Sequence, residues 1–239
     1  MNRLTEGWFS FGGIRCDDMH LCLMEMPKRR RAKRRGEYQH ASGTDGDTWK
    51  SDGTYEAYDI PLRCETTDGY DETAIRAWLD GSGELIFSDE RGLAYDAEIH
   101  ESVDFISKYL SFDKKTVTLI AHVQPFKRMI PAVTPIVLTS GRTITNPGTI
   151  YSLPKITVQG SGDFSLTVGG QVMYMTGISG GVVLDSQLMD AFDFDGNMVN
   201  DYVSGKFFRI QPGENNISWQ LESGAKVSSV TIEPRWRCI

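Results

Sequence analysis

The 239-residue sequence has no stretch near the roughly 18–20 consecutive apolar residues that a membrane-crossing helix needs. Its opening, MNRLTEGWFSFGG, lacks the continuous apolar core and small-residue cleavage site of a signal peptide. The chain is therefore expected to be made and kept in a cytoplasm. Cysteine is scarce. Cys16 and Cys22 lie six apart, Cys64 and Cys238 stand alone, and no CxxC pair or zinc spacing occurs. If residues 14–24 form one strand, Cys16 and Cys22 share a face, but their Cα atoms lie far beyond the ~7 Å limit for a disulfide. Reduced thiols are expected. Catalytic signatures are missing too: there is no GxSxG, HExxH, P-loop or GxGxxG. His20, His40, His100 and His122 sit in no nucleophile motif, and a carboxylate pair drawn from 32 acidic residues has no diagnostic value. No catalytic residue, metal or cofactor is expected.

What the sequence does have is one concentrated block of positive charge. Seven of the eight residues 28–35 are basic: Lys28, Arg29, Arg30, Arg31, Lys33, Arg34 and Arg35, in a chain of formal net charge −7. Residues 1–130 hold 18 basic and 23 acidic side chains, and without the run that stretch stands at −12. Such a block can neutralise phosphates or dock on an acidic protein surface. Within its own sequence the run has no interleaved aromatics, no recognition helix and no zinc or RNA-binding signature. The acidic body repels DNA over a Debye length. A protein contact is the better reading, and a DNA-binding regulator the weaker one.

Most of the chain reads as short strands. Glycine, 24 in all, is scattered among Val, Ile, Thr and Tyr. Residues 9–14 and 21–26 form an opening strand or hairpin that Pro27 ends, and residues 27–52 form a long polar arm. A strand follows over 55–66. The one convincing helix covers 68–79, with Asp68 or Asp71 as cap and Ala74, Ile75, Trp78 and Leu79 at helical spacing. Further strands are expected over 84–89, 93–105 and 116–124. Residues 127–150 read as a linker around one strand, 136–139. Beyond Tyr151 come strands over 155–159, 164–168, 171–176, 182–185, 206–210, 216–220 and 226–234, with a helical turn over 188–192. Gly160-Ser161-Gly162 reads as a turn between two of these strands. Regular short strands without long helices argue for an antiparallel β-sandwich in this half. The expected domains are 1–130 and 131–239.

Two acidic clusters, Thr44-Asp45-Gly46-Asp47 and Asp193-Phe194-Asp195-Gly196-Asn197, have closely spaced oxygens of the kind calcium accepts. Neither completes the EF-hand pattern, and Asp-Gly is ordinary turn chemistry. In the second half, Tyr151, Tyr174, Trp219 and Trp236 supply rings on which sugars can stack, although strand aromatics more often serve the core. Tyr174, Trp219 and Trp236 are the candidate sugar contacts, and a carbohydrate-binding adhesion module is the alternative function.

In order and spacing, the motifs resemble those of the distal tail protein (Dit) family of long-tailed phages and prophages. The first half of the match runs from Phe11-Gly12-Gly13-Ile14 through Gly53-Thr54-Tyr55 and Trp78-Leu79 to Val123-Gln124-Pro125-Phe126-Lys127. The second half has Asn146-Pro147-Gly148, Val183-Leu184-Asp185-Ser186 and a stretch from Gly205 to Asn215. Ala41-Ser42-Gly43-Thr44-Asp45-Gly46 replaces the family's Pro-Gly-Arg-Asp-Gly-like segment, and Phe208 stands where the family commonly has proline. The resemblance implies a mainly β protein, with a ring-forming N-terminal β-domain holding one helix and a galectin-like antiparallel β-sandwich after it. It implies a structural, non-enzymatic distal tail hub in the virion tail, assembled in the host cytoplasm. The implied partners are further copies of itself in a homohexameric ring, single or stacked, the tail tube protein, the tail-tip hub protein and a receptor-binding protein. DNA passes through the lumen unbound, and no membrane is involved. The seven basic residues become an assembly arm.

Overall fold

Along two long strands, Tyr58–Thr66 and Lys115–Met129, apolar residues alternate with polar ones, and this alternation places a core. In the computed structural model, residues 7–107, 114–131 and 134–239 are described; residues 1–6, where the signal-peptide reading begins, lie outside them. The chain divides into two units, Met1–Arg128 with Ile239, and Met129–Cys238.

The first unit contains β1 (Phe9–Phe11), β2 (Ile14–Arg15), β3 (Leu21–Leu23), β4 (Glu37–His40), β5 (Asp47–Lys50), β6 (Tyr58–Thr66), α1 (Glu72–Trp78), β7 (Gly81–Phe87), β8 (Leu93–Ile99), β9 (Asp104–Ser107) and β10 (Lys115–Met129). Its main sheet has the order β2-β1-β7-β8-β10-β6-β3, with β9 also on β10. Ile60, Leu62 and Cys64 of β6 and Val117, Leu119, Ala121 and Val123 of β10 point inward, while Asp59, Arg63 and Ile120 point out. Asp71 caps α1: its carboxylate accepts hydrogen bonds from Thr73 N (2.8 Å) and Ala74 N (3.3 Å). Ile75 enters the core, and Trp78 stacks on Phe9 while its Nε1 donates to Phe11 O. Residues 14–24 are not one strand, because a 3₁₀ turn over Asp17–Met19 separates β2 from β3. The four cysteines are free thiols, and burial pushes Cys16 up to about 12 and raises Cys64 as well.

The second unit contains β11 (Ile136–Leu138), β12 (Arg142–Asn146), β13 (Lys155–Val168), β14 (Gln171–Ile178), β15 (Gly181–Asp185), β16 (Asp190–Phe192), β17 (Val203–Gly205), β18 (Gly213–Leu221) and β19 (Lys226–Glu233). The organising element is β13. Its first half pairs with β15 and β19, and its second half with β14 and β18. One strand thus belongs to both faces of the antiparallel sandwich, with Ile156, Val158, Phe164, Leu166 and Val168 buried between them.

The expected turn at Gly160-Ser161-Gly162 is instead a bend within β13. Register shifts occur at Gln159/Gly160 and Gly162/Phe164. A Cβ on Gly160 would stand 2.4 Å from Lys226 O, and Gly162 has φ +90° with Ala225 Cα 2.9 Å from its Cβ position. The glycines permit a close backbone approach at a corner rather than a chain reversal.

Other expectations change as well. The strand expected over 93–105 is two, β8 and β9, and residues 127–150 hold two strands, β11 and β12, rather than one. Residues 206–209 form no strand, because Gln171 takes the place of a partner strand: its Nε2 donates to Arg209 O (2.7 Å) and its Oε1 accepts from Arg209 N (3.0 Å). The helical turn over 188–192 is a tight turn at Met189 (φ 61°) leading into β16.

Candidate functional site

The basic run was expected to be a free arm, and in the first unit it is an extended segment pinned at several points. Pro27 is buried, and Ala32, the one uncharged residue of the run, is 2% exposed. Between them the Arg29 guanidinium bonds Asp89 through both nitrogens, one at 2.9 Å, and reaches Glu90 Oε2 at 3.1 Å. It also lies 5.1 Å from the Phe87 ring centroid. These hydrogen bonds hold the Asp89 carboxyl below the usual carboxylate range. Glu90 in turn accepts from Lys127 Nζ (3.0 Å) and Tyr95 O–H (3.3 Å), so the clamp is tied to the sheet.

Past Ala32 the backbone pairs with residues 54–56. Glu56 N donates to Lys33 O, Arg34 bridges to Tyr55, and Arg35 N donates to Thr54 O. This pairing closes the base of a hairpin, β4 with β5, where the sequence predicted a structureless arm. Tyr38 and Trp49 face each other across it, ring centroids 4.7 Å apart. Its tip is Ala41-Ser42-Gly43-Thr44-Asp45-Gly46, with Thr44 N and Oγ1 both donating to Ala41 O. The first acidic cluster is therefore part of a turn.

Pinning sorts the run into two faces. Lys28 and Arg30 line a cavity of about 540 Å³ together with Pro61, Leu62 and Ile120 and the carboxylates Asp59 and Asp104. Arg31, Lys33 and Arg34 line a second, of about 500 Å³, together with Tyr38, Trp49 and Tyr55. Arg34 Nη2 donates to Tyr55 Oη at 2.9 Å, and its guanidinium lies 5.4 Å from the ring centroid. Lys33 makes a long, exposed ion pair with Glu56, at 3.6 Å. The lack of aromatics in the run is thus made good by residues that the fold brings to it. The missed residues left a faint signal: Tyr38 and Trp49 each alternate with polar neighbours on either side of a Gly-rich turn. Asp89 and Glu90, sixty residues away, left none.

The three candidate sugar contacts are not brought together as an open platform. Trp236 is 4% exposed and belongs to the core of the second unit, so its ring has no free face. Trp219 packs partly buried against the same core. Tyr174 alone is well exposed, at 58%. At the second acidic cluster, Asp193 Oδ1 accepts from Asp195 N and Asn197 N, and Oδ2 accepts from Asn197 Nδ2. Asn197 and these amides hold the Asp193 carboxyl below its usual range. Its oxygens serve its own loop, as turn chemistry requires.

With this geometry in hand, the fold can be compared with solved proteins. The chain matches the crystal structure of SPP1 Dit (gp 19.1), described as a paradigm of hub adsorption apparatus in Gram-positive-infecting phages, with a TM-score of 0.70. The match covers 95% of this chain and 97% of that one, at 14% sequence identity. The fold is that of a phage Dit protein. No family model and no curated protein matches the sequence. The likeness to Dit therefore lies in backbone architecture, with most of the aligned side chains different.

Proposed function

We propose that the chain is a non-enzymatic structural component of a phage or prophage tail, a distal tail hub joining the tail tube to the tip. The observation that carries this reading is the extent of the fold match, which spans both units and nearly all of both chains. A shared binding module would match over one unit only. In this reading the first unit assembles with further copies into a ring, a hexamer in the Dit resemblance, whose lumen passes DNA. The exposed cations Lys28, Arg30 and Arg31 then dock on acidic protein surface, while Arg29 secures the segment from beneath. The tube protein, the tip hub and a receptor-binding protein are the further partners.

Negative-stain images of the purified protein, with light scattering on the eluting peak, test this. Rings of uniform subunit number support it, and a monomer at all concentrations and salt conditions overturns it. The carbohydrate-binding alternative rests on Tyr174, since Trp236 and Trp219 are taken up by the core. Micromolar sugar binding by a monomer on a glycan array would favour that alternative.

A further inference from the structure

Two surfaces of this chain have unbalanced charge of opposite sign, each with exposed rings or apolar side chains beside it. The first is the basic cleft of the first unit, where Arg31, Lys33 and Arg34 stand next to Tyr38 (71% exposed) and Trp49 (39%). Arg31 has no acidic partner among the described residues. The second is the lobe formed by residues 186–202 of the second unit. It contains Asp190, Asp193, Asp195 and Asp201, and no Lys or Arg.

The acidic lobe is more than a charge cluster. Leu188, Met189, Phe194, Met198 and Tyr202 are each more than half exposed within fifteen residues. Large apolar side chains concentrated in this way mark an interaction surface, since each loses favourable burial by facing water. The lobe is also held in shape. Met189 N donates to Asp185 O, Ala191 N to Asn200 Oδ1, and Val199 N to Ala191 O, while the Phe194 ring lies against Gly181. Asp193 and Asp190 are occupied by their own loops, so Asp195 and Asp201 are the carboxylates left to meet a partner.

A partner for this lobe needs cations around apolar or aromatic rings. The chain itself has that surface: Arg31, Lys33 and Arg34, three of the run's seven basic residues, line it beside the rings. Without the run the remaining residues stand at −14. We infer that the basic–aromatic cleft of one copy receives the acidic–apolar lobe of a second copy. The inference rests on the reading of the chain as a self-assembling hub. The contact uses a different surface on each copy, so it propagates head to tail and closes only if the rotation between copies closes.

Charge reversal in the full chain tests it. The cleft variant is Arg31→Glu/Arg34→Glu and the lobe variant is Asp195→Lys/Asp201→Lys, each followed by sedimentation velocity over a range of concentrations. Each variant alone should associate roughly a hundredfold more weakly than the wild type, and an equimolar mixture should recover association, because the reversed surfaces again match. Tyr38→Ala and Met198→Ala, which alter no charge, should each weaken association and act as a second probe if a reversal variant fails to fold. Wild-type-like association by either reversal variant, or a mixture that stays monomeric, overturns the contact while leaving the ring reading standing. A wild-type chain that never associates overturns both.

Discussion

Each unit fixes a surface loop with one arginine–aspartate clamp, and the two clamps differ in how far water reaches them. Arg29 holds the basic segment to Asp89, whose side chain is 44% exposed. Arg235 holds Asp185, whose side chain is 8% exposed, through both guanidinium nitrogens at 2.8 and 2.9 Å. Asp185 also accepts from Gln187 N and Leu188 N, so it shapes the turn that displays Leu188 and Met189. Burial works against the Asp185 carboxylate, but Arg235 and the two amides outweigh it and hold its carboxyl below the usual range. The same residue pair is thus a structural keystone in one unit and an adjustable fastening in the other. Solvent access makes the difference, because a carboxylate that loses its partner rehydrates freely only at the surface.

The sharpest way to break this comparison is to remove each arginine. Arg235→Ala strands a nearly buried carboxylate and should lower stability by about 2–4 kcal/mol, read by chemical denaturation of the whole chain. A loss no larger than that of Arg29→Ala would erase the distinction. Acid tests both clamps next. Because the folded Asp185 and Asp89 carboxyls lie below their unfolded values, their contribution is complete above about pH 4 and is lost as pH falls through the folded pKa. Asp185→Asn and Asp89→Asn should therefore each flatten the stability profile between about pH 5 and 2. A profile left unchanged by either variant would contradict that carboxylate's pairing. The smallest effect is expected for Arg29→Ala, about 1 kcal/mol or less, since Asp89 regains water. Its mark should instead be local: hydrogen exchange over residues 27–33 should quicken while β6 and β10 stay protected. Unchanged exchange there would mean that Pro27 and Ala32 alone hold the segment.

Sequence reading succeeded where local chemistry and burial agree. Asp71, Ile75 and Trp78 announced the helix, and Ile60, Leu62 and Cys64 announced β6 by their alternation. It failed at β4 and β5, whose residues are all exposed and so leave no inward–outward pattern. It failed again at Gly160 and Gly162, because glycine serves equally for a turn and for close approach, and only Lys226 and Ala225 on the neighbouring strand decide between them. At the candidate site, the seven basic residues were plain from composition. That Arg29 is an internal fastener, and Lys28, Arg30 and Arg31 stay exposed, depends on Ala32 being buried and on Asp89 and Glu90.

By itself, the sequence determined a mainly β chain with one capped helix, an acidic body and a single dense basic block, since composition, periodicity and capping are local properties. Tertiary structure alone decided that the block lies pinned along its own unit, that three aromatic rings stand beside part of it, and that β13 serves both faces of a sandwich. Those facts rest on partners many residues away, brought close by strand pairing and burial, which no local pattern in the chain encodes.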